Sequence, residues 1–141
     1  MVDNMPKIKD QKSLTKAEVD RLERMIGQID VIRKEMAGLA RKSPSDAVNA
    51  FKLKLINKVL VDANELLGER YRPFAEFSVF DDDAVPSTSD VTFIMAQYAE
   101  GVDLFRSGYV HWNAGTWCYR ISDSTETMRT SPPASGSRKA D

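Results

Sequence analysis

The sequence predicts a mainly α protein: a long antiparallel helical hairpin, a third helix, and a small C-terminal β-hairpin or extended aromatic element. Three observations carry this. Apolar residues recur at helical spacing through two adjacent stretches, Thr15–Arg41 and Pro44–Leu67, with only a short break between them. A third periodic stretch, about 89–107, follows an interruption rich in aspartate and proline. Two β-rich segments, Tyr109–Trp112 and Thr116–Ile121, then flank Asn113-Ala-Gly115, a glycine-containing turn.

The first helix opens on Thr15-Lys-Ala-Glu18, a capping-box pattern in which Thr15 and Glu18 satisfy each other's backbone amides. Val19, Leu22, Ile26, Ile29 and Met36 follow at helical spacing, and Met25, Ile32 and Leu39 widen the stripe. A stripe this wide needs more than one neighbour to cover it. Ser43-Pro44-Ser45-Asp46 reads as the start of the second helix, with Ser43 as N-cap and Pro44 in the first helical position. That helix carries two stripes: Val48, Phe51, Leu55, Val59 and Leu66, then Leu53, Ile56, Leu60, Ala63 and Leu67. Gly68 is placed to end it.

Arg70 to Phe80 has a proline, four aromatics and no helical period, so an extended connector is expected, with a short strand over Glu76–Phe80. Ser87-Thr-Ser-Asp90 caps the third helix, whose stripe is Val91, Ile94, Met95, Tyr98, Val102 and Phe105. Burial of those six side chains contributes roughly 9–18 kcal/mol before ordering entropy is subtracted. The expected organisation is a flexible arm over 1–13, one helical domain over 14–121, and a disordered Ser/Thr/Pro-rich tail over 122–141.

Composition narrows function by exclusion. The chain of 141 residues has a net charge of −1, which gives no global attraction to nucleic acid or to an acidic membrane. One cysteine, Cys118, cannot close an internal disulfide, and Met1–Lys12 has no apolar run of the kind a signal peptide needs. No stretch approaches the roughly 18 apolar residues of a membrane span. A cytoplasmic protein is expected.

Chemical motifs are sparse. Asp81–Asp83, with Asp90 nearby, is the nearest approach to a metal site, but three consecutive carboxylates cannot converge on one ion, and a solvated acidic turn is expected. His111, the only histidine, lies seven residues from Cys118, and the pair can face each other across the predicted hairpin. The β-rich context makes Cys118 a small buried hydrophobe rather than a nucleophile. Trp112, Trp117, Tyr109 and Tyr119 fit either a buried or dimer-interface cluster, which is favoured, or an exposed stacking platform. Val110, Trp112, Trp117 and Tyr119 share one face only in a favourable register. Asn57 and Asn64 border the second stripe of helix two, where they either set register or simply meet water.

Charge is segregated. Residues 33–58 hold seven basic side chains against two acidic ones, and 59–105 hold ten acidic against two basic. One tip of the helical hairpin is therefore expected to be positive. These features together predict a non-enzymatic interaction or adaptor module, with no cofactor and no metal, that self-associates through its helices as a homodimer. The expected partner-binding residues are Arg41, Lys42, Lys52, Lys54, Trp112, Trp117 and Tyr119. The alternative is a small nucleic-acid-associated regulator that uses the basic tip.

Overall fold

The computed structural model describes residues 12–134. Residues 1–11 of the expected arm and 135–141 of the expected tail lie outside the described residues. The protein is mainly helical: α1 (Lys16–Lys42), α2 (Ala50–Tyr71) and α3 (Thr88–Ser107), followed by the antiparallel strands β1 (Val110–Asn113) and β2 (Thr116–Tyr119). The chain forms two compact units, one over Glu23–Val102 and the other combining residues up to Leu22 with those from Asp103 onward.

In the Glu23–Val102 unit, the second helix starts later than its proline suggests. Residues 46–48 are committed elsewhere: the Val48 amide donates to Pro86 O at 3.0 Å, the Thr88 amide donates to Asp46 O at 2.9 Å, and Ala47 bridges Ser87. The cap is therefore Asn49 rather than Ser43, and its side-chain oxygen accepts from the amides of Phe51 and Lys52 at 2.8 and 3.1 Å. Val48 is buried but lies outside the helix. At the far end Gly68 has φ +65°, a left-handed conformation that interrupts α2 where the last stripe residue, Leu67, ends.

The strand expected over Glu76–Phe80 does not form. Asparagine side chains take the place of a partner strand. Asn57 both donates to Phe80 O and accepts from the Phe80 amide, each at 2.9 Å, and Asn64 donates to Ser78 O at 2.9 Å. These bonds lay the connector along α2, with Phe77 and Phe80 in edge contact at 5.1 Å. The acidic run closes a 3-10 turn, Asp82–Ala84, in which the Asp81 carboxylate accepts from the Asp83 amide at 3.0 Å. A second capping box follows: Ser87 and Asp90 exchange side chain-to-amide bonds of 3.1 and 3.3 Å at the start of α3.

Of the α3 stripe, Val91, Met95, Tyr98, Val102 and Phe105 are buried and Ile94 is half-buried. Tyr98 donates to Asn64 Oδ1 at 2.6 Å, and burial pushes its phenol above the ordinary value, with the Asn64 bond and the Arg72 charge opposing. Gly101 allows a close approach here, because a Cβ at that position would sit 2.8 Å from the Tyr71 carbonyl oxygen.

The other unit contains the start of α1, the end of α3 and the β-hairpin. The capping box at Thr15 forms as expected, with bonds of 2.8 and 3.1 Å between Thr15 and Glu18. Ala114 and Gly115 both have positive φ, so a two-residue type I′ turn joins β1 to β2. Arg120 ties this unit together by donating to the carbonyl oxygens of Lys12, Val110 and Gly108 at 2.6–3.1 Å. Residues 122–134, whose composition suggests a disordered tail, carry specific hydrogen bonds instead. The Tyr119 amide donates to Met128 O and the Thr130 amide donates to Trp117 O, so 128–130 runs along the free edge of β2. Buried Arg106 binds Asp103 and gathers Thr130 Oγ1, Ser131 O and Pro132 O at 2.8–3.0 Å. A charged donor with several carbonyl acceptors supplies the ordering energy that an apolar-poor segment lacks.

Candidate interaction surface

Within the Glu23–Val102 unit, α2 buries one of its two stripes and leaves the other open. Leu53, Ile56, Leu60, Ala63 and Leu67 are buried. On the opposite stripe Phe51 is 69% exposed, Leu55 is 45% exposed, and Val59 and Leu66 are half-buried. Val31 of α1 is 64% exposed and Ile32 half-buried. Val31, Ile32, Leu55 and Val59, with Gly27 at one wall, line an open groove of about 720 Å³ between α1 and α2. Glu23, Arg24, Glu35, Lys52 and Lys58 form its rim, and Lys52 is ion-paired to Glu35 across it. An apolar floor with a charged rim is the ordinary anatomy of a protein-binding surface.

The predicted basic residues distribute unevenly. Lys42 and Lys52 line one depression of about 240 Å³ beside Asp46, whereas Arg41 and Lys54 are exposed and do not line it. The Glu35 pairing and the Asp46 carboxylate reduce the positive potential at that point.

Trp112, Trp117 and Tyr119 belong to the other unit. The hairpin register pairs Val110 with Tyr119 and Trp112 with Trp117, which is the register that puts all four on one face. The inner pair is buried. The outer pair is not: Trp112 is 60% exposed, Trp117 is half-buried, and their rings meet edge to face at 5.5 Å. Tyr119 thus serves packing, and of the four only the two tryptophans reach the surface.

His111 and Cys118 are directly opposite each other in the ladder. Cys118 is buried and half-buried His111 joins it, Asn113, Glu126 and Thr127 in a depression of about 250 Å³. Among the described residues no group of three or more His, Cys, Asp or Glu side chains converges to hold a metal ion, and no helix is long and apolar enough to cross a membrane.

Sequence reasoning found both α2 stripes but had no way to tell which is covered. It also missed the clamps that Asn57 and Asn64 make on the connector. Their seven-residue spacing beside an apolar stripe was the available signal, and it carried no indication of their partner. No family model, no curated protein and no solved structure matches the chain.

Proposed function

We propose that this protein is a non-enzymatic interaction module that self-associates through helical apolar surface. The observation that carries the reading is the open α1–α2 groove, in which one stripe of α2 lacks a covering element among the described residues. A contiguous apolar face of this kind favours association because covering it removes apolar area from water at about 25 cal/mol per Å². Absolute mass by light scattering tests it. The expected result is a dimer for the native sequence and a monomer of unchanged helicity for Leu55→Glu. A native chain that stays monomeric at tens of micromolar overturns self-association, and a catalytic activity lost on changing His111 or Cys118 overturns the non-enzymatic reading.

A second reading rests on the convergence of Lys42 and Lys52 on one depression, which suits a phosphate group. It predicts excess absorbance at 260 nm that strips away in high salt. Reversing the charges of Arg41, Lys42, Lys52 and Lys54 would then abolish nucleic-acid binding and leave folding intact. The ion pair to Glu35 and the near-neutral chain weigh against it.

A further inference from the structure

The open stripe of α2 has a charge pattern that selects its occupant. Taken from its N-terminal end, the stripe and its borders present Phe51, Lys52, Lys54, Leu55, Lys58 and Val59, and then Asp62, Glu65, Leu66 and Glu69. On α2 itself every border charge before Val59 is positive, with Lys52 paired to Glu35 of α1, and every one from Asp62 to Glu69 is negative. The stripe is thus bordered by opposite charges on its two halves.

We infer that the groove is filled by a second copy of this chain, with the two α2 helices crossing antiparallel about a two-fold axis beside Val59. This rests on the self-association proposed above and deepens it to a register. Antiparallel packing about that point puts Val59 against its own copy and brings Lys58 of each chain toward Asp62 of the other, since the two lie on the same flank of the stripe. A parallel pair would instead stack Lys58 on Lys58 and Asp62 on Asp62, a juxtaposition that like charges disfavour. The two-fold arrangement also closes: each copy presents the same patch, so the assembly stops at two chains and no open filament forms. Val31 and Ile32 of α1 stand beside the stripe to flank the incoming helix.

The test is a charge exchange between copies, read by light scattering, with circular dichroism to check folding. Lys58→Glu and Asp62→Lys are made as separate proteins. In each, four like charges meet at the axis, and the dimer dissociation constant should rise at least about tenfold. Mixed together, the two variants should form a heterodimer. The glutamate introduced in one chain then faces the lysine introduced in the other, while the unchanged Asp62 of the first faces the unchanged Lys58 of the second. The chain carrying both substitutions keeps one positive and one negative charge at these positions and should dimerise with itself, which shows that neither change acts through misfolding. Val59→Cys should form an intermolecular disulfide under mild oxidation, with the buried Cys118 left out. If both single variants dimerise as well as the native chain, or if mixing restores nothing, this register is wrong while self-association stands. A native chain that is monomeric removes both.

Discussion

Replacing Gly101 by alanine sets helix propensity directly against packing. In an exposed helix interior the change stabilises by about 1 kcal/mol, because glycine loses more backbone freedom on folding. At Gly101 the new Cβ would lie 2.8 Å from the Tyr71 carbonyl oxygen, with Leu67 Cδ1 and Pro73 Cγ each at 3.8 Å. The obstructing atom belongs to the backbone, so no rotamer change relieves it. Overpacking of this kind costs about 1–3 kcal/mol, and a backbone obstacle places it toward the upper end. Gly101→Ala should therefore destabilise by about 1–2 kcal/mol net. Gly38→Ala in α1 is the control, since its nearest neighbour is the flexible tip of Arg41 at 3.9 Å, and it should stabilise by about 0.5–1 kcal/mol. Urea unfolding followed by circular dichroism measures both, comparing midpoints at constant slope. If Gly101→Ala proves as stable as Gly38→Ala, the close approach of α3 to Tyr71 is not a constraint on folding.

Three other perturbations probe the polar ties. Asn57→Ala removes both bonds to Phe80 and should cost about 1–2 kcal/mol; hydrogen exchange at Phe80 should accelerate. Tyr98→Phe removes the bond to Asn64 and should cost about 1 kcal/mol at neutral pH in a thermal melt. Because burial raises the Tyr98 pKa above its ordinary value of 10.0, its contribution is fully present below pH 10 and is lost as pH rises through the folded-state value, so Tyr98→Phe should flatten the alkaline fall in stability. Arg106→Gln deprives Ser131 and Pro132 of their donor and should cost about 2–3 kcal/mol, with limited proteolysis appearing first in 122–134; unchanged resistance there would show that Arg106 does not hold the segment.

What was legible in the residues is what depends on near neighbours along the chain. The Thr15–Glu18 capping box and the capping residues Ser87 to Asp90 involve groups three residues apart, and the first formed as the sequence implied while the second proved to be a reciprocal box as well. The same locality made Asn113-Ala-Gly115 readable as a turn and marked Gly68 as the end of the helix, where the regular helix does break although α2 continues past it to Tyr71. The start of α2 failed because the decisive partners are remote. Ser43 and Pro44 are good local signals, yet 46–48 pairs with 86–88, and Asn49 inherits the cap. The composition of 122–134 likewise carries no trace of the β2 edge or of Arg106, the two features that organise it.

The candidate surface divides in the same way. The amino acids alone established that α2 has two apolar stripes, that charge reverses sign midway along it, and that the chain is mainly helical, since period, charge order and caps are properties of adjacent residues. Tertiary packing chose which stripe meets the core and which remains open as a groove. It chose the hairpin register that buries Tyr119 while exposing Trp112, and it turned Asn57 and Asn64 into clamps. Those choices compare the free energies of whole arrangements of distant segments, and two stripes of nearly equal apolar content give a local reading no basis for preferring either one.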